Sequence, residues 1–252
     1  MTVIPPRPDD LHPVGPSPEG DGPTWGVGEA ILAYVGAFSL AAVASVPLFA
    51  LVGTSDTSSM LANVVVALAI VGGLLWWLRL RHPGWRDAVG LRAASPLRDL
   101  VAGFVFGAVA YPVIAVVVAS SLGLVLQRIS GEAVRTPEQV PTDLPPIGIA
   151  LVVVYAILVA PVAEEFFFRG VLFPAARARL GLWPGAFLSG LAFGLIHYVP
   201  APWADAVLLM AVMVPTGVAF AWIRARRGSL YGSIGAHVAF NVIGLILIYA
   251  SR

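Results

Sequence analysis

The sequence predicts an all-α protein, a polytopic bundle of about seven or eight transmembrane helices. Composition comes first: 58% of the 252 residues are hydrophobic and only 12% are charged. A soluble domain carries roughly a quarter charged residues, so most of this surface faces something other than water. Next, the apolar residues come in runs long enough to cross a bilayer, which takes roughly 20 residues per helix, and the mean hydropathy is +0.87. The arginines, finally, fall on alternate loops, as they do when a chain is threaded back and forth through a membrane.

Residues 1–24 contain seven prolines, from Pro5 to Pro23. No apolar core follows a basic start there, so the segment reads as a disordered cytoplasmic tail rather than a signal peptide. Residues 25–252 read as the transmembrane helical domain. Its apolar segments run at roughly 26–52, 60–80, 99–126, 147–173, 184–199, 204–223 and 230–250. Gly103 and Gly107 form a GxxxG pair suited to close helix packing in the third segment. Pro161 interrupts the fourth, which predicts a break there. An Arg-rich connection covers 79–98 and a Pro-rich one 128–146.

Of the 15 basic residues, all arginine, eleven fall on one side of this threading. Arg128, Arg135 and Arg252 fall on the other, and Arg169 is left inside the membrane. The positive-inside rule then makes the N-terminus cytoplasmic and the C-terminus external. Trp25, Trp76, Trp77, Trp183, Trp203 and Trp222 lie near helix ends, where an indole prefers the headgroup layer. The use of arginine without lysine points to a bacterial plasma membrane. A net charge of +1 offers no field for nucleic acid, and the absence of cysteine excludes disulfides, thiolate metal sites and a cysteine nucleophile. Membrane lipids are the expected surroundings.

Charges deep in a bilayer are costly and each asks for a reason. Among the acids, only Glu164 and Glu165 lie deep within an apolar segment; His197 and His237 are the embedded histidines, and Asn241 follows one turn after His237. A helix rises 1.5 Å per residue. Counted from the cytoplasmic ends, Glu164 and His197 therefore lie about 20 Å deep, His237 about 15 Å and Asn241 about 21 Å. Polar groups from three helices thus fall in one layer, which points to a shared site.

Glu165 and Arg169 stand at i and i+4 with the acid first, the better order for a helical ion pair. As a pair they can neutralise each other in a dry interior, and packing alone would explain them. Glu164 is rotated about 100° from Glu165, and Phe168 stands at its i+4 position. The free carboxylate is the candidate general base. His237 and Asn241 share a helix face, so both can donate to one oxygen as an oxyanion hole does; interhelical bonding is the plainer reading of Asn241 alone.

Three stretches bring a family into view. Glu164-Glu165-Phe166-Phe167-Phe168-Arg169 fits EExxxR, Phe193 to His197 fits FxxxH, and His237 to Asn241 fits HxxxN. In this order and each in an apolar segment, they resemble the motifs of the CAAX-protease and bacteriocin-processing (CPBP, or Abi) family of intramembrane metalloproteases, the CAAX prenyl protease 2 type. The resemblance covers about residues 147–250. It implies a membrane-embedded endopeptidase of about eight helices, with Glu164 and His197 activating a water and with His237 and Asn241 stabilising the oxyanion. Its substrate would be a peptide or lipidated protein at the membrane.

Metal use stays open. Glu164, His197 and His237 can supply the three ligands that a zinc site usually takes beside water. The carboxylate and His197 can equally activate water alone, and that metal-free chemistry is preferred. Two rival readings remain: a proton- or ion-coupled transporter, whose relays also use buried Glu, His and Arg, and a non-catalytic bacteriocin immunity protein.

Overall fold

The computed structural model describes residues 22–250 except residue 54. The tail expected to be disordered, residues 1–21 of it, lies outside the described residues. Eight helices follow in chain order: α1 Val27–Val52, α2 Asp56–Arg81, the short α3 Trp85–Val89, α4 Pro96–Ser130, α5 Pro146–Leu180, α6 Leu182–Ile196, α7 Trp203–Arg227 and α8 Leu230–Ala250. Among the described residues there is no strand. All of these helices except α3 and α6 are long and apolar enough to span a bilayer, and the chain is an integral, multi-pass membrane protein. With 15 residues, α6 covers only about 22 Å.

The helices pair as α1 with α2, α6 with α7, and α4 with α8. Small residues set the last contact. A Cβ on Gly103 or Gly107 would overlap the backbone of Gly232 or Ala236, and one on Gly235 would overlap the Leu100 carbonyl. The GxxxG pair therefore brings two backbones together, as expected from its sequence. Its effect is to press α8, which carries His237 and Asn241, into the bundle. The outer faces stay apolar and exposed, as Leu97, Val109 and Leu124 on α4 are. In water such faces would drive association; against lipid tails they need no cover.

Pro161 does not break the fourth segment. Helix α5 runs unbroken to Leu180, well beyond the expected end at 173, and widens into π turns at Tyr155–Val159 and Phe166–Leu172. In the first of these, the Ala160 N–H donates to the Tyr155 carbonyl, five residues back. The wider turn makes room for the pyrrolidine ring, so the chain shifts its hydrogen-bond register at the proline. Pro112 opens a third π segment, Pro112–Val118, in α4.

Helix α3 sits inside the 79–98 connection. Val89 packs fully buried against the second π segment near Gly170, and the Gly90 carbonyl accepts from the Leu230 N–H at 2.9 Å. His82, at the start of the same connection, is buried: Nδ1 meets Thr24 Oγ1 at 2.8 Å and Nε2 meets Glu29 at 3.1 Å. Next to it the Trp25 indole donates to the Val171 carbonyl at 2.9 Å. Thr24 and Trp25 are thus fastened to the bundle.

Candidate active site

The α-helical turn Ala160–Glu165, just before the second π segment of α5, projects two carboxylates to different neighbours. Glu165 is fully buried, and its Oε1 accepts twice: from Arg169 Nη1 at 2.8 Å and from His237 Nδ1 at 3.0 Å. Arg169 also donates from Nη2 to the Gly217 carbonyl at 2.9 Å. Its guanidinium lies over the rings of Phe193, Phe220 and Phe168, at 4.5, 5.3 and 5.6 Å from their centroids. The expected ion pair is present, and it does more than cancel charge. It joins α5 to α7 through Gly217 and to α8 through His237.

Glu164 faces the other way. Its Oε2 stands 3.7 Å from His197 Nε2 and 4.0 Å from His237 Nε2. Both distances exceed hydrogen-bond reach, so this buried oxygen has no hydrogen-bond partner among the described residues.

The bonds behind each imidazole set its orientation. His197 Nδ1 lies 2.8 Å from the Phe193 carbonyl. A carbonyl only accepts, so Nδ1 carries the hydrogen and a neutral His197 presents the Nε2 lone pair to Glu164. Likewise His237 Nδ1 donates to the Glu165 carboxylate, which turns Nε2 to the same oxygen. His197 is not inside a membrane helix as its motif suggested. It caps the C-terminus of α6, with its N–H on the Gly194 carbonyl at 3.0 Å, because that helix ends at Ile196.

Asn241 lies elsewhere in the network. Its Nδ2 donates to the Ala156 carbonyl at 2.7 Å. In the i→i−5 register of the first π segment, that carbonyl would be answered by residue 161, a proline without an N–H. The Asn241 amide replaces the missing donor and ties α8 to the first π segment of α5. One amide hydrogen remains for another acceptor.

The donor set of Glu164, His197 and His237 is the right kind for zinc. Each imidazole has its second nitrogen on an acceptor, as metal-bound histidines do, and Glu164 Oε2 is an orphaned buried atom. Their present spacing is looser than a bound ion would impose, and among the described residues no group of three such side chains stands at metal-holding distance.

Residues that sequence reasoning passed over line the space in front of Glu164, among them Tyr34, Asn63 and Tyr155. The signal available was a polar tip within an otherwise apolar helix.

Comparison with known proteins points to one family. Residues 146–243 match the family model described as Type II CAAX prenyl endopeptidase Rce1-like. A curated Bacillus subtilis (strain 168) protein described as "Putative membrane peptidase YdiL" is 26% identical over 100 residues, which cover 40% of this chain and 38% of that protein. The match thus spans well under half of the relative's length. No solved structure matches. Glu164, Glu165, Arg169, His197, His237 and Asn241 all fall within residues 146–243, the segment that is similar to the Rce1-like family.

Proposed function

We propose that this protein is an intramembrane endopeptidase that hydrolyses peptide bonds of membrane-associated substrates, CAAX-like lipidated tails being one class. The observation that carries the reading is the unpartnered Glu164 carboxylate, faced at 3.7 and 4.0 Å by two histidine nitrogens.

A water held between Glu164 Oε2 and His197 Nε2 has an acceptor for each of its protons. Its lone pair is then free to attack the substrate carbonyl. Glu164 takes the proton as general base and returns it to the leaving amine. With both ring nitrogens protonated, His237 donates from Nε2 to the oxygen that becomes negative, while Nδ1 stays on Glu165. The second amide hydrogen of Asn241 serves the same oxyanion. In an alternative arrangement, with Nε2 of His237 unprotonated, a divalent ion, zinc by its ligand chemistry, would be held by Glu164, His197 and His237 and would polarise the water.

The test is full-length protein in detergent, incubated with a peptide library and with lipidated peptides, and read by mass spectrometry with and without a chelator. Cleavage that survives chelation is the expected result. Activity lost on chelation and restored by zinc would assign the chemistry to the ion. No cleavage of any peptide would remove the endopeptidase reading and favour the transporter.

We also propose that the arginine-rich loops face the cytoplasm. Ala94→Cys and Ala133→Cys occupy exposed loop positions of a cysteine-free chain. In intact cells an impermeant thiol reagent should label position 133 and spare position 94, and the reverse pattern would invert the orientation.

A further inference from the structure

A cavity of about 570 Å³ lies against Glu164, walled by Tyr34 and Phe38 of α1, Asn63 of α2, and Tyr155, Glu164 and Phe168 of α5. Half of that wall comes from helices outside residues 146–243. Asn63 is the only amide on α2, with no charged residue between it and Arg79. It sits seven residues past Asp56, about 10 Å along the helix. Its side chain is exposed and has no hydrogen-bond partner among the described residues. The Tyr34 and Tyr155 hydroxyls also lack such a partner, and both lie within electrostatic reach of Glu164.

Unpartnered polar tips are costly beside lipid, and three around one cavity need a common cause. The chemistry of the reaction supplies one. A peptide bond inside a helix is shielded by its own hydrogen bonds, so a segment must unwind locally before water can attack it. Unwinding frees backbone N–H and C=O groups, and in hydrocarbon each must find another partner. A primary amide offers both a donor and an acceptor, matching a peptide group, and a phenol can donate to a carbonyl.

We propose that Asn63, with Tyr155 across the cavity, is a substrate-binding residue that holds the unwound backbone of the substrate beside Glu164. The proposal rests on the endopeptidase reading. It assigns to α2 a part of the site that the family match does not reach.

The experiment uses full-length protein in detergent and a peptide that the library assay finds cleaved, together with a series of the same peptide N-methylated at one backbone position at a time. Asn63→Leu should lower kcat/KM about tenfold, the size of one hydrogen bond, mainly through KM. Asn63→Gln should recover part of the loss. The thermal midpoint should not fall, since no bond to a described residue is lost. One N-methyl position should cost the wild type about tenfold and cost Asn63→Leu nothing further, as expected when both changes remove one contact.

Asn63→Leu within twofold of the wild type would overturn the proposal, as would N-methyl losses equal in the two proteins. Should Asn63→Leu fail to assemble, Asn63→Ala and the N-methyl series on the wild type decide it; a series with no sensitive position is negative. Cleavage that needs Glu164 but ignores Asn63 would sink this proposal alone. A wild type that cleaves nothing, or a Glu164→Gln protein that cleaves as well as the wild type, would remove the endopeptidase reading and this inference with it.

Discussion

Glu164→Gln is expected to leave the helices assembled and to lower peptide cleavage by about 10²–10⁴-fold, the usual contribution of a positioned base. The two halves of this expectation have separate causes. Glutamine keeps the size of the side chain and its place in the bundle but cannot take a proton from water. Stability should hold or rise, because Glu164 Oε2 has no hydrogen-bond partner among the described residues and removing an unpaired buried charge costs the fold nothing. His197→Ala should be similarly severe for cleavage, since it removes the acceptor 3.7 Å from the same oxygen. Asn241→Ala should differ in kind. Losing an oxyanion donor costs on the order of 10²–10³ in rate. The variant also strands the Ala156 carbonyl, which costs about 1–3 kcal/mol, so a lower melting midpoint should accompany the slower turnover. Rates and thermal midpoints measured on the same purified samples separate these cases. Unchanged cleavage by a well-assembled Glu164→Gln protein would end the proposed mechanism.

Arg169→Ala should produce the largest loss of stability, roughly 3–5 kcal/mol, as expected when one member of a buried ion pair is removed. Arg169 and Glu165 are both fully buried, so water cannot replace the lost guanidinium. The Gly217 carbonyl loses its donor as well, and three aromatic rings lose the cation above them. Activity should fall further than stability explains. Glu165 Oε1 orients His237 through Nδ1, and a carboxylate without its arginine no longer holds that ring in one place. Glu165→Gln combined with Arg169→Gln should recover much of the stability, because no charge is then buried alone. Thermal unfolding of the two single variants and the double variant measures this coupling. A double variant no more stable than the worse single one would show that the residues are not partners.

Composition and the long apolar runs determined the all-α membrane architecture, because a chain with so few charges cannot satisfy its surface in water. The i, i+4 spacing likewise determined the Glu165–Arg169 pair, a property of a single helix. Depth counted along each helix pointed to one layer for Glu164, His197, His237 and Asn241, since helical rise is fixed; the structure brings Glu164 to the two histidines and turns Asn241 to the Ala156 carbonyl. Tertiary structure decided the rest. Pro161 looked like a break when only α5 was read; the donor that answers Ala156 is Asn241, 85 residues away, and local sequence does not show that contact. Which carboxylate His237 binds depended on the rotation of α8, set by the glycines that press it onto α4. The role of α1 and α2 in walling the Glu164 cavity was equally hidden, because Tyr34 and Asn63 belong to no local pattern and meet α5 only when the bundle is formed.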